Sequence, residues 1–349
     1  MCIDGTSTSS TGVDNTSVDW PSIILDTPSP AEAWARIFAG LLDISCNGSS
    51  PVTLHDRTVF PDRLLSEAAW QLWNDYPKQA PRTSSLLKEW CSRTSPAAGR
   101  AVLILDALSL RELPLLIGGA QARNITISGV KVTGSECPST TDQFAHALGV
   151  PSRSSLANDG KPKTFALFNT LSNTISNALS NALSNVYTDV VSLPFEDSHV
   201  PPIPNIVLWH TWLDDLIHRQ HKLPDQIAKI TSSILQSDGF WNFINKLRQG
   251  RELVITSDHG YAVSKRFSSE VTDPEAVEIL RQTFGASRCK PSSDEWQKRF
   301  MPPIVMTYNG QHVVMGQRKW KVQGGFPHVC HGGMSLLEAA VPYMELPAL

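Results

Sequence analysis

Residues Val254-Ile255-Thr256-Ser257-Asp258-His259-Gly260 constrain this chain more than any other stretch. An apolar and β-branched run breaks abruptly into an adjacent aspartate and histidine. A buried parallel strand has this pattern, and open α/β sheets keep their sites at the carboxyl edge of such strands. The stretch therefore predicts a strand that delivers two metal ligands at its end. Arg100-Ala101-Val102-Leu103-Ile104-Leu105-Asp106 repeats the device, a continuous apolar run ending in a carboxylate. Ile206-Val207-Leu208-Trp209 is a third strand candidate and opens into a polar segment beginning at His210.

The remaining elements are read around these strands. With 349 residues the chain can bury a substantial core, as two domains or as one large α/β domain with an insertion. A hydrophobic content of 41% with 18% charged residues is that of a soluble globular protein. The net charge of -3 excludes a globally basic binder, yet 30 Lys and Arg leave room for a local basic groove, so phosphodiester substrates stay open. Cys2, Cys46, Cys91, Cys137, Cys289 and Cys330 are dispersed without metal-ligand spacing and are expected to be reduced thiols of a cytoplasmic protein. Met1–Val18 is rich in Ser and Thr, without an apolar core, so neither secretion signal nor membrane anchor is expected.

Along the chain, residues 1–19 are expected to be a disordered tail and 20–98 a helical amino-terminal subdomain. Helices are predicted over Pro28–Leu42, Pro61–Trp73 and Ser84–Cys91, with Trp34, Trp70, Trp73 and Trp90 as core residues rather than a base-stacking platform. After the strand at 100–106, Leu110, Leu113, Leu116 and Ile117 mark a helix closing at Gly118-Gly119, and Asn124–Val132 alternates as a strand. Pro138-Ser139-Thr140-Thr141 opens a further helix, whose amides and dipole suit a phosphate as well as a hydroxyl cap. The Leu-Ser-Asn repeat from Leu171 reads as a helical insertion. Asp214 and His218 stand four apart, on one face of a helical turn, where they can share a metal. One long helix is predicted from Leu223 to Leu247, and residues 261–303 are expected to form an insertion or lid. Asn309-Gly310 marks a hairpin between Ile304–Tyr308 and His312–Gly316; His331-Gly332-Gly333 precedes the last helix start and the strand Ala339–Leu346.

Taken in order, Val102-Leu103-Ile104-Leu105-Asp106, Pro138-Ser139-Thr140-Thr141, Ser257-Asp258-His259-Gly260 and His331-Gly332-Gly333-Met334-Ser335-Leu336-Leu337-Glu338 resemble the motifs of the alkaline phosphatase superfamily. Within it they resemble the PglZ domains of phage-defence and signalling proteins. The resemblance covers roughly residues 100 to 346. It implies an alkaline-phosphatase-like three-layer α/β sandwich with a central, mostly parallel sheet over 99–349, with insertions at about 155–195 and 261–303.

The resemblance also implies two divalent ions, zinc or manganese. One would be held by Asp106, Asp258 and His259, also touching Thr141; the other by Asp214, His218 and His331. His210 and Asp215 are alternatives at the second centre, His328 is an alternative to His331, and Thr140 an alternative nucleophile to Thr141. PglZ domains usually carry Asp-Gly-Leu-Arg after the first strand. Here the sequence is Asp106-Ala107-Leu108-Ser109, with Arg111 the candidate to replace the arginine. The implied function is a phosphodiesterase or nuclease with a threonine nucleophile, acting on a phosphoester such as a nucleic acid or nucleotide. A phosphomonoesterase or phosphomutase, and a non-catalytic interaction module with partner proteins in a defence or signalling complex, are the alternatives. The expected location is cytoplasmic, with no membrane partner.

Overall fold

The computed structural model describes residues 18–46, 51–95, 97–160, 186–219, 223–267, 269–293 and 300–349. The Leu-Ser-Asn repeat and all but the last residues of the amino-terminal stretch lie outside the described residues. The chain is a mixed α/β protein built on a six-stranded sheet. Its strands are β1 (Gly99–Leu105), β2 (Gly129–Gly134), β3 (Val186–Val191), β4 (Asn205–His210), β5 (Arg251–Thr256) and β6 (Ala340–Leu346), in the spatial order β2-β6-β5-β1-β4-β3. Only β6 runs antiparallel, paired with β2 and β5.

The central strands β1, β4 and β5 are buried on both faces, which is why they read as unbroken apolar runs. Leu103, Leu105, Leu208 and Ile255 pack on one side against the helices Leu113–Gln121, Trp212–Arg219, Pro224–Leu235 and Asp238–Arg248. Val102, Ile104, Val207, Trp209 and Val254 face the helices Thr83–Ser92 and Thr141–Leu148 on the other. Each fully buried Leu or Ile contributes about 1.5–3 kcal/mol relative to exposure, so register is strongly fixed. Ile104 pairs with Thr256 and Leu105 with His210, which brings the carboxyl ends of these three strands side by side.

The amino-terminal helices pack as a third cluster on β2 and the short helix Leu336–Ala339. Ser29 caps Pro30–Cys46 by accepting from Glu32 N at 3.2 Å. Trp34 and Trp73 lie 4.8 Å apart and Trp34 and Tyr76 4.9 Å apart, fully buried, as core tryptophans. The Asn309-Gly310 turn has both residues at positive φ, 49° and 70°, and joins Val305–Tyr308 to Gln311–Val314 in the expected hairpin. With Cys289–Pro291 and the helix Pro274–Phe284 this hairpin encloses a small core of Leu280, Phe284, Val305, Val314 and Trp320.

Several element boundaries differ from the sequence expectation. The helix expected over Leu223–Leu247 is two helices, Pro224–Leu235 and Asp238–Arg248, because Ser237 accepts from Phe240 N at 3.2 Å and starts a new one. The helix expected over Pro61–Trp73 is the end of Pro51–Glu67, with Pro61 inside it, followed by a separate Gln71–Gln79. The strand expected over Asn124–Val132 begins only at Gly129: Asn124 turns at φ 53°, and Ile125 and Ile127 pack against the core instead. The helix after β1 does not close at Gly118-Gly119 but continues to Gln121. Gly119 is there for packing, since a Cβ on it would lie 2.6 Å from the Trp241 ring.

Candidate functional site

The clustered donors sit at strand ends, at helix starts and, for His218, in the last turn of a helix. Asp106 follows β1, Asp258 and His259 follow β5, and Asp214 and His218 ride the helix Trp212–Arg219 that follows β4. Thr141 is the first residue of its helix, reached through the Ser135–Thr140 turn after β2. His331 stands in the turn before Ser335, the N-cap of the short helix Leu336–Ala339.

Asp106, Asp258 and His259 bring one ligand atom each within 4.8 Å of one another. The Thr141 hydroxyl donates to Asp258 Oδ2 at 2.9 Å and lies 3.4 Å from Asp106 Oδ1 and 3.3 Å from His259 Nε2. Asp258 Oδ1 accepts the backbone N–H of Ala107 at 3.0 Å, and Asp106 Oδ2 accepts the Trp209 indole at 2.9 Å. His259 Nδ1 faces the Gly260 carbonyl at 3.0 Å. A carbonyl can only accept, so Nδ1 carries a proton, and in the neutral ring this leaves the lone pair on Nε2, the tautomer a metal requires.

Asp214, His259 and His331 form a second group of donors within 4.8 Å. His218 joins it: its Nε2 lies 3.1 Å from Asp214 Oδ1 and 3.0 Å from His331 Nε2. The rings of His259 and His331 stack at 4.4 Å, placing His259 between the two groups. A cavity of about 440 Å³ opens over Thr141, Ser152, Arg153, Asp214 and His331.

The electrostatics show what these groups lack. Asp106 and Asp258 are fully buried. Burial first, then the neighbouring Asp258 and Asp214, pushes Asp106 well above the carboxylate range, and burial pushes Asp258 up to about 6. Burial also acts to raise Asp214, but the imidazoles of His218, His331 and His259 outweigh it and hold Asp214 at about 2. His331 falls to about 3 through burial and the neighbouring His259, while Asp214 raises His218. The cation in contact with these carboxylates is Arg153, whose Nη1 donates to Asp106 and lies 3.4 Å from Asp214. Three carboxylates and three imidazoles, with one guanidinium among them, fit a pair of divalent cations by donor type and by charge.

The alternatives are separated by position. Thr140 is the N-cap residue and Thr141 is the one whose hydroxyl meets the acidic cluster. His210 Nδ1 accepts from Trp212 N at 3.3 Å, and its ring packs 4.5 Å from Phe195 in the apolar layer, where burial lowers it to about 3. Asp215 accepts from Thr211, the residue before its helix, at 2.9 Å. His328 gives its carbonyl to Ser264 N at 3.0 Å. Arg111 donates instead to the Tyr261 carbonyl and to Ser109 Oγ at 3.1 Å.

Sequence reasoning missed Arg153 and the Trp209 indole, and nothing in their spacing distinguishes them from ordinary residues. It also missed the support of the His331 turn. Ser139 Oγ donates to the Gly333 carbonyl at 2.7 Å and accepts Gly332 N at 3.1 Å, and Glu338 Oε1 accepts Gly333 N at 3.0 Å. Arg288 Nε and Nη2 in turn grip Glu338 at 2.7 and 2.9 Å.

No protein-family model matches the chain, and no curated protein matches it. Among solved structures, phosphonoacetate hydrolase from Sinorhizobium meliloti 1021, in complex with phosphonoformate, is 12% identical with a TM-score of 0.40, covering 73% of this chain and 91% of that one. Murine ectonucleotide pyrophosphatase/phosphodiesterase 5 is 14% identical with a TM-score of 0.40, covering 71% and 88%. Among the described residues no helix is long and apolar enough to cross a membrane.

Proposed function

We propose that this chain is a metal-dependent phosphoester hydrolase of the alkaline phosphatase superfamily, PglZ-like in its motifs, that attacks phosphorus with Thr141. The observation that carries the reading is the Thr141 hydroxyl, at the head of a helix, 2.9 Å from Asp258 and 3.3 Å from His259, the residue common to both groups of donors. Asp106, Asp258 and His259 would hold one divalent ion and Asp214, His218 and His331 the other, and the carboxylate and imidazole set suits zinc or manganese. When bound, such ions supply positive charge that makes the nucleophile more acidic and stabilises the leaving oxygen.

The chain's own residues do the rest. Asp258 and Asp106 fix the Thr141 oxygen for attack, and the first amides of its helix face the oxygens of the incoming phosphoryl group. Thr141 passes its proton to Asp258, to which it already donates, and Oγ1 bonds phosphorus as the ester oxygen leaves; water then hydrolyses the phosphothreonine, releasing the phosphate product, and the hydroxyl regains its proton. Phosphodiesters, including nucleic acids and nucleotides, are the proposed substrates. Arg153 supports a second reading as a phosphomonoesterase, because its guanidinium lines the cavity and favours a doubly charged phosphate.

Turnover of bis(p-nitrophenyl) phosphate and p-nitrophenyl phosphate by protein loaded with zinc or manganese tests both readings. Thr141→Ala and Asp258→Ala should each lower kcat by about a thousandfold or more. Turnover equal to wild type in either variant would sink the mechanism, and the preferred ester separates the two substrate classes.

A further inference from the structure

Arg111 is a buried cation that the proposed chemistry does not use. It is 4% exposed, stacks 4.7 Å from the Tyr261 ring, and makes no ion pair among the described residues. Its Nη2 is buried and without a partner. Glu112 and Glu338 act on it without a direct ion pair, and buried charges are ordinarily paired directly, so the unpartnered Nη2 leaves a place for an anion.

Beside it lies a second unmatched group. His55, also 4% exposed, directs Nε2 at the Arg266 carbonyl at 2.9 Å. That nitrogen must carry the proton, so Nδ1 is a buried lone pair, and it too has no partner. Both side chains line one pocket of about 130 Å³. Its walls are apolar, from Pro224, Ala228, Val263 and the Tyr261 ring, with Asp225 and Arg266 also in the lining. A cationic side chain and an imidazole with a buried, unpartnered nitrogen therefore border a common space with apolar sides.

We propose that this pocket binds a small carboxylate bearing an adjacent hydroxyl: the carboxylate accepts from Arg111, the hydroxyl donates to His55 Nδ1, and an apolar body fills the walls. A bare inorganic anion would meet Arg111 but leave the walls unfilled. The site is separate from the metal centre and does not depend on the reading proposed for it.

The test is calorimetric titration of the full chain, metals retained, at fixed ionic strength, with 2-hydroxyisovalerate, isovalerate and inorganic phosphate as probes. The hydroxy acid should bind wild type about tenfold more tightly than either other probe, and about tenfold more tightly than it binds Arg111→Met or Ala228→Phe. Ala228→Phe blocks the pocket and leaves the guanidinium in place, so it serves if Arg111→Met fails to fold. His55→Phe should remove the preference for the hydroxyl, and Asp258→Ala should leave binding unchanged. Failure of wild type to bind 2-hydroxyisovalerate, undiminished binding in Ala228→Phe, or loss of binding in Asp258→Ala would each overturn the proposal.

Discussion

Ala107 turns the chain immediately after Asp106 with φ at 61°, a left-handed conformation that costs an L residue about 1–2 kcal/mol. The turn aims its N–H at Asp258 Oδ1, 3.0 Å away, so the strain holds one carboxylate in place. Ala107→Gly relieves the strain but loses a buried methyl and frees the unfolded chain, so its stability should stay within about 1 kcal/mol of wild type by denaturant unfolding. Ala107→Val puts a β-branched residue at the same φ and should cost more than about 2 kcal/mol. The departure from Asp-Gly-Leu-Arg was legible in the sequence, but the dihedral that gives it meaning was not, because nothing local distinguishes an alanine forced to positive φ. Asp106, Asp258 and His259 were legible for the opposite reason: a polar break straight after an unbroken apolar run marks the carboxyl end of a strand buried on both faces.

Glu112 gives a residue-scale test of burial. Burial raises it from 4.5 to about 7, against hydrogen bonds from Tyr261 at 2.7 Å and Ser109 N at 2.9 Å. A folded-state pKa above the unfolded one means the folded protein holds the proton longer. The stability contribution is complete below pH 4.5 and is lost as pH rises through about 7. Glu112→Gln should therefore flatten the fall of unfolding free energy across this window by up to about 1.4 kcal/mol per pH unit. An unchanged slope would show that Glu112 titrates normally.

At the scale of elements, the His331 turn is held from two sides, by Ser139 at the head of the Thr141 helix and by the buried Arg288–Glu338 pair. Gly333 has no room for a side chain, since a Cβ there would lie 2.4 Å from Arg288 Nε. Glu338→Gln should cost about 3–5 kcal/mol by leaving Arg288 buried without its counter-charge, and should weaken metal retention through the loosened turn. Melting temperature and metal content measured together check this; a stable variant with full metal content would refute the positioning role. The paired glycines could be read as a close backbone approach, yet the arginine they approach is remote in sequence, so spacing could not name it. Helix ends were the least legible elements, because a hydrophobic period runs on across Gln236-Ser237 where capping geometry stops the helix.

For the whole molecule, the sheet was legible because its central strands are buried on both faces, whereas the clustering of donors from three strand ends depends on the order β5-β1-β4, which no local pattern encodes. The fold gathers Asp106, Asp214 and Asp258 at one edge and compensates them in part with Arg153. Divalent ions should therefore stabilise the folded state, and chelation should lower the melting temperature. Protons compete for the same oxygens: with Asp258 at about 6 and Asp106 raised, affinity at that centre should fall as pH drops below 6.

The central claim is that Asp106, Asp258 and His259 form one metal centre and Asp214, His218 and His331 another, with Thr141 beside His259. Elemental analysis of protein purified without chelator, for wild type, Asp106→Asn and His331→Ala, tests it most directly. The account predicts two divalent ions per chain in wild type and the loss of about one in each variant. Wild-type protein without stoichiometric metal, or variants that keep both ions, would contradict it.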